Sequence, residues 1–141
     1  MGAHPNLQLV ERFFLEFASR GDVQLADELF SSDLICCTPH GVIAGREPAK
    51  ELYRQSAEAF SDLSFTIHKQ LVDSTHVMSR VTIHARHVQP IWDLPATGRK
   101  ISLPAVCVFE FADGRIRKVE VFYDVQTLMS EISRGEPRYV R

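Results

Sequence analysis

The chain has 141 residues, of which 45% are hydrophobic and 24% charged, so we expect one folded domain over residues 1–141 and exclude a disordered or fibrous chain. Sixteen basic and eighteen acidic residues give a net charge of −2, which argues against nucleic acid or an anionic membrane as a partner. Three cysteines form no disulfide framework, and no apolar run approaches the ~18 residues that span a bilayer. A cytoplasmic protein is expected.

Helical periodicity dominates the first half of the chain. Apolar residues recur every three or four positions from Val10 to Ala18, which predicts a helix that ends at Gly21. A short second helix follows, and then an apolar strand over residues 34–41. A third helix is predicted over residues 46–60 because its apolar positions again have helical spacing.

The second half of the chain changes to a period of two. This alternation predicts strands over residues 65–71, 77–88, 100–111 and 115–123, before a final helix over residues 126–132. Helices followed by antiparallel strands predict an α+β fold, in which helices pack on a strongly curved, mostly antiparallel sheet. Such a cone-shaped α+β barrel encloses a ligand pocket.

Two carboxylates near the end of the last strand are candidates for acid/base chemistry. Asp124 follows the apolar segment VEVFY, and a carboxylate beside Phe122 on the pocket wall would be partly desolvated, which raises its pKa. Glu120 lies on the same strand face, so one of the two acids could hold a proton near neutrality. The alternatives are that Asp124 caps the final helix and that Glu120 faces solvent, paired with Lys118 or an arginine.

The sequence does not determine which face of the strand over residues 77–88 lines the pocket. His84 and Arg86 share one face with Arg80 and Thr82, and on a concave surface they would bind a substrate carbonyl or enolate. On a convex surface they would form a solvated stripe, and His87 would point inward.

Aromatic side chains are candidates for substrate binding. Trp92 lies between two strands and is interpreted as a pocket-mouth aromatic that stacks on a flat substrate, or else as a loop anchor beneath Pro90 and Pro95. Phe122 on the last strand is a further aromatic candidate. The others, which helical spacing equally assigns to the core, are Phe14, Tyr53 and Phe60.

Known cofactor and metal signatures are missing from the sequence. The histidines do not have a metal-ligand spacing, and no glycine-rich loop or Ser-His-Asp pattern occurs. We therefore predict neither a metal nor a cofactor, and cofactor-independent acid/base chemistry is the enzyme hypothesis that remains.

Short motifs occur along nearly the whole chain, namely GRE at 45–47, FSDLSF at 60–65, Arg80, His87, LPATGR at 94–99, DGRI at 113–116 and Asp124. With these landmarks the chain resembles the SnoaL-like polyketide cyclases, a family of the ketosteroid isomerase or nuclear transport factor 2-like superfamily. Because this fold hosts both enzymes and binding proteins, the motifs point to the superfamily more firmly than to one reaction.

The resemblance implies roles for individual residues. In the cyclases a late aspartate is the principal acid/base group, which corresponds to Asp124, and a histidine often occupies the position of His40. The resemblance thus implies that the chain is a cyclase or isomerase that acts on a polyketide-like or terpenoid molecule of secondary metabolism. Asp124 would transfer the proton with His40 or Glu120, while Arg86 or His84 polarises a carbonyl. The alternatives are an epoxide hydrolase of the limonene epoxide hydrolase type, using Asp124 with Glu120, and a non-catalytic binding module.

A homodimer is the expected assembly. If Phe122 and its neighbours line the cone, then Val119, Val121 and Tyr123 lie on the outside of the sheet, where a wide apolar patch is seldom left wet. Two copies would pair back to back through their sheets, with separate pockets. The resembling family also tends to dimerise in this way.

Overall fold

The computed structural model describes residues 4–134, and its strands form one six-stranded sheet. The strands are β1 (Phe30–Thr38), β2 (Gly41–Ala44), β3 (Phe60–Val72), β4 (His76–His87), β5 (Lys100–Ala112) and β6 (Arg115–Phe122). Their order across the sheet is β2-β1-β6-β5-β4-β3. All neighbours are antiparallel except β1 and β6, which are parallel. The predicted α+β fold with a mostly antiparallel sheet is confirmed.

The helices pack mainly on one face of this sheet. They are α1 (Pro5–Arg12), which continues as a π-helical segment (Phe13–Ala18), then α2 (Ala26–Leu29), α3 (Arg46–Ala59) and α4 (Val125–Arg134). Burial of Phe13, Phe14, Phe17 and Ala18 explains the apolar periodicity of the first helix.

Gly21 ends the first helical segment because no other residue fits there. Its φ of +67° lies in the left-handed region, and a Cβ atom at this position would come within 2.8 Å of the Cβ of Ala57 in α3. The glycine therefore both terminates the segment and lets it approach α3 closely.

Two of the predicted strands differ from the structure by more than one residue at a boundary. The segment predicted as one strand over residues 34–41 is a hairpin, since β1 turns at Pro39 and His40 and pairs with β2 from Gly41 onward. The short β2 is mostly exposed and has no apolar alternation to reveal it. Strand β3 begins at Phe60, directly after α3, rather than at residue 65.

The core lies between the helices and the concave face of the sheet. The Phe14 ring packs 4.9 Å from the ring of Phe65 on β3 and 5.7 Å from that of Phe109 on β5. Bulges in β3, between Ser61 and Ser64 and between Ile67 and Lys69, increase the local twist and bend the sheet around this core.

The predicted orientation of the last strand is wrong. Val119 is buried, and Val121 and Tyr123 line an internal cavity, whereas Phe122 is 53% exposed on the convex face. Glu120 lies on that convex face too, opposite Val108 in the register of β5 and β6. The apolar members of the alternation therefore face the core, as the hydrophobic effect requires.

Of the two alternatives for β4, the structure shows the one in which the polar residues form a stripe on the convex face. His84 and Arg86 lie on the convex face, while His87 points inward and is fully buried. The His87 ring lies 5.5 Å from that of Phe60, and its Nδ1 is 3.1 Å from the hydroxyl oxygen of Thr97.

Candidate functional site

An apolar cavity of about 180 Å³ lies between the helices and the concave face. Among the described residues that line it, none is Asp, Glu, Lys or Arg. The lining residues are Phe13, Ala18, Thr38, His40, Leu52, Tyr53, Ser56, Phe60, Leu63, Phe65, Ile83, Ala85, Trp92, Ile101, Leu103, Cys107, Val121, Tyr123 and Leu128. An apolar chamber with a few polar groups is typical of a small-molecule site.

Stacked rings form the mouth of this cavity. The imidazole of His40 and the indole of Trp92 are 4.3 Å apart between centroids and only 23° from parallel. The Tyr123 ring lies 5.9 Å from His40, and the Phe60 ring lies 6.5 Å from Trp92. The turn after β1 presents His40, whose backbone N–H donates to the hydroxyl of Thr38 at 3.1 Å. The mouth thus brings a titratable imidazole into contact with an aromatic surface.

A tight hairpin turn holds Trp92 in place. The N–H groups of Ile91 and Leu94 donate to each other's carbonyls at 3.1 and 2.8 Å. The two residues between them, Trp92 and Asp93, have φ values of 50° and 62°. This geometry matches the type I′ turn, which ordinarily favours Asn and Gly, so the backbone at Trp92 is strained.

Buried hydroxyl and thiol groups supply the cavity with hydrogen-bond donors. Burial raises the pKa of Tyr123 to about 12 and that of Tyr53 well above its ordinary value. Burial likewise raises the pKa of Cys107, which also lines the cavity, to about 12. These groups are therefore protonated near neutral pH and are available to donate rather than to act as bases.

Comparison with known proteins identifies the family. A family model for SnoaL-like polyketide cyclases matches residues 8–132. The chain belongs to the SnoaL-like polyketide cyclase family. No match was found among curated proteins.

Solved structures show the same fold. A protein from Jannaschia sp. CCS1, described as a SnoaL-like polyketide cyclase, is 22% identical and superposes with a TM-score of 0.84 over 94% of each chain. TsrD from Streptomyces laurentii is 25% identical, with a TM-score of 0.82 over 96% of this chain and 99% of that chain. An LEH-like epoxide hydrolase from M. tuberculosis is 20% identical, with a TM-score of 0.75 over 93% of this chain and 91% of that chain. The fold is nuclear transport factor 2-like.

Asp124, the position of the cyclases' late aspartate, is not among the residues that line the cavity. Its carboxylate accepts from the hydroxyl of Thr127 at 2.5 Å and from the Thr127 backbone N–H at 3.3 Å, so it caps α4. The Thr127 hydroxyl in particular lowers the pKa of Asp124. The expectation that apolar surroundings raise this pKa is wrong, because the carboxylate is exposed and hydrogen-bonded.

The other predicted site residues divide between the two faces of this SnoaL-like chain. His40, Tyr53, Phe60 and Trp92 line the cavity. Phe14 is fully buried in the core, and its neighbour Phe13 lines the cavity instead. The predicted site residues that lie on the convex face are Glu120, Phe122, His84 and Arg86.

His84 and Arg86 belong to a polar network on the convex face. The Nε2 of His84 is 3.0 Å from the hydroxyl oxygen of Thr66, and its Nδ1 is 3.3 Å from that of Ser102. Arg86 donates to the carbonyl of Gly98 at 2.7 Å. The structure therefore separates these side chains from His40 by the thickness of the sheet.

Four cavity residues that carry a hydroxyl or a thiol were absent from the predicted site, namely Thr38, Ser56, Cys107 and Tyr123. The signal for Tyr123 was present in the sequence, because Val119, Val121 and Tyr123 are the more apolar set of the β6 alternation. The hydrophobic pattern alone predicts that this set faces the core.

Within residues 4–134, no helix combines the length and the apolarity needed to cross a bilayer. The same part of the chain contains no group of three or more His, Cys, Asp or Glu side chains placed to hold a metal ion.

Proposed function

We propose that this chain is a cofactor-independent cyclase or isomerase that acts on a polyketide-like or terpenoid small molecule of secondary metabolism, with His40 as the proton-transfer group. The observation that carries the proposal is the stacked His40–Trp92 pair at the wall of a cavity whose described lining has no Asp, Glu, Lys or Arg side chain. Imidazole is the side chain that exchanges protons most readily near neutral pH. Asp124, by contrast, accepts hydrogen bonds at the start of α4.

The cavity supports an enolate mechanism. His40 removes a proton from the carbon next to a substrate carbonyl, and the C–H electron pair forms the C=C bond of the enolate. A hydroxyl of Tyr123 or Tyr53 donates to the carbonyl oxygen as negative charge develops there. The enolate carbon then attacks a second carbonyl carbon, and His40 returns its proton to the new alkoxide oxygen. The product is a ring isomer of the substrate.

The test compares two variants on one probe, a linear aryl triketone. We expect His40→Asn to lower kcat for appearance of the cyclised isomer by at least about 10²-fold. Asp124→Asn should keep the wild-type rate, and because asparagine also caps helices it should leave α4 intact. The melting temperature of each variant controls for misfolding. If Asp124→Asn loses the activity and His40→Asn retains it, our assignment of the proton-transfer group is wrong.

A non-catalytic binding module is the second candidate. The described lining of the cavity contains no carboxylate, and this favours binding without chemistry. It also leaves the epoxide hydrolase alternative without support from the cavity, since that reaction was assigned to Asp124 and Glu120. A probe that binds tightly and is recovered unchanged by mass spectrometry would favour the binding module.

We propose further that two copies of the chain pair through their convex faces. Phe122, Met78 and Leu71 are 53%, 43% and 58% exposed there. Met78 lies between Leu71 and Val108 in the sheet register, and Phe122 lies opposite Val106, two residues from Val108 on β5. Covering such a patch is the usual basis of a symmetric dimer. The dimer predicted from the sequence is thereby retained, but through the opposite set of β6 residues.

A further inference from the structure

A second hollow lies on the outer side of Trp92. This outer groove, of about 630 Å³, runs between the second half of α3 and the segment over residues 89–92. Leu52, Ser56 and Trp92 line both the outer groove and the inner cavity. These three side chains are therefore a thin partition between two compartments.

The inner cavity is too small for the whole of a typical polyketide-like molecule. A cavity of roughly 150 Å³ holds one benzene ring, and small-molecule sites usually have about 300–1,000 Å³. At about 180 Å³, the inner cavity accommodates little more than one ring. The remainder of a larger ligand must lie outside this cavity. The outer groove is the adjacent space, because only the partition separates it from the cavity.

We infer that the ligand is an elongated, two-part molecule, with a flat apolar ring in the inner cavity and a neutral polar chain that passes Trp92 into the outer groove. This inference rests on the proposed function, in that the reacting carbonyl would lie at the mouth beside His40. It adds a second subsite and makes Trp92, Gln55 and Gln89 determinants of substrate length.

The chemistry of the outer groove favours a neutral chain rather than an anionic one. Among the described residues that line it, the one acidic side chain is Glu58, which accepts a hydrogen bond from Arg54 at 2.5 Å, so its charge is already paired. The amide of Gln55 donates to Glu51 at 3.0 Å, which orients the side chain at the groove. Gln89 is anchored through its backbone N–H to the carbonyl of Ala59 at 3.2 Å. Two primary amides are suited to hydroxyl, carbonyl or amide groups.

The turn at Trp92 places the indole at the partition, stacked on His40. The backbone of this turn is strained, and strained turns of this kind are common at ligand clamps. The indole is still 40% exposed, so a chain can pass beside it without displacing the core.

Two probes with the same ring test the inference. 4-Ethylphenol supplies the ring alone, and N-(acetylglycyl)tyramine supplies the same ring with a neutral diamide chain. Isothermal titration should give about tenfold tighter binding for the tailed probe, since each additional hydrogen bond contributes modestly. Trp92 is the single tryptophan of the sequence, so its fluorescence reports binding at the mouth directly.

Variants assign the extra affinity to the outer groove. Gln55→Ala combined with Gln89→Ala should remove the advantage of the tailed probe and leave the affinity for 4-ethylphenol unchanged. Gln24→Ala, an exposed glutamine before α2, is the matched control and should change neither. If the two probes bind equally well, or if the double variant keeps the tenfold difference, the second subsite is wrong while the proposed cavity ligand stands. If neither probe binds, both fail.

Discussion

Phe109 and Phe122 show how differently the two faces of the sheet use the same residue type. They lie on neighbouring strands, but Phe109 is fully buried among the helices and Phe122 is 53% exposed. Phe109 packs 5.1 Å from Phe13 and 5.7 Å from Phe14 between ring centroids. The concave face thus supplies folding stability and a cavity, whereas the convex face leaves apolar side chains exposed. The following predictions test this division.

The largest expected effect is the loss of the buried ring. Phe109→Ala should lower the free energy of unfolding by about 3–5 kcal/mol, because it removes a buried side chain and leaves a cavity. Phe122→Ala is the matched control and should cost less than about 1 kcal/mol in dilute protein, since half of its ring already contacts solvent. Urea unfolding followed by circular dichroism measures both. Equal losses would contradict the division between the two faces.

The next effect concerns association through the convex face. Met78→Lys together with Phe122→Lys should weaken the dimer by at least about thirtyfold, because each substitution places a charge in the apolar patch. Sedimentation equilibrium should show the wild type near twice the monomer mass and the variant near the monomer mass. Val42→Lys, at an exposed position on β2, is the control for added charge alone. A wild type that stays monomeric at high concentration would refute the dimer.

A smaller effect is expected at the start of α4. Asp124→Ala should lower the melting temperature by a few degrees, whereas Asp124→Asn should nearly preserve it, since asparagine is also a good cap. The pKa of Asp124 is lower in the folded state, so its ionisation stabilises the fold above the ordinary carboxyl range. This contribution is lost as the pH falls through the lowered pKa. The difference in melting temperature between wild type and Asp124→Ala should therefore become smaller at acidic pH. A difference that becomes larger would show that the carboxylate is not the cap.

The last prediction concerns thiol reactivity and involves no change in stability or association. Cys37 is half-buried on β1, while Cys107 lines the cavity and burial raises its pKa to about 12. Because the thiolate is the reactive form, a disulfide reagent near neutral pH should label Cys37 at least about a hundredfold faster than Cys107. Mass spectrometry of tryptic peptides measures each rate. Rapid labelling of Cys107 would mean that the cavity opens far more than its geometry indicates.

Hydrophobic periodicity predicted most of the fold. Val10, Phe13 and Phe17 define a helix whose burial follows directly from their spacing, and the alternation from residue 100 to 111 matches the buried face of β5. The exposed β2 could not be predicted, because its four residues have no buried face to produce a pattern. Pairings distant in sequence, such as β1 beside β6, leave no local signal either.

The candidate site was harder to predict than the fold. The resemblance to the cyclases assigns the acid/base role to Asp124, and placing Asp124 in the pocket predicts the wrong orientation of β6. The more apolar set, Val119, Val121 and Tyr123, faces the core. His40 and Trp92 were both predicted, but their contact at 4.3 Å depends on two turns that fold back toward each other. Such a contact is a property of the tertiary structure rather than of any motif.

The parallel pairing of β1 with β6 has a consequence for how the chain folds. Phe30 on β1 pairs with Ile116 on β6, so β1 stays at an open sheet edge until most of the chain has been synthesised. Pairings over so long a sequence separation slow folding, and unpaired strand edges invite association with other chains. Nascent chains that end before Arg115 should therefore aggregate or bind chaperones, whereas chains that extend past Phe122 can close the sheet. Synthesis of β6, rather than of any helix, therefore determines when the edge of β1 is paired and no longer available to other chains.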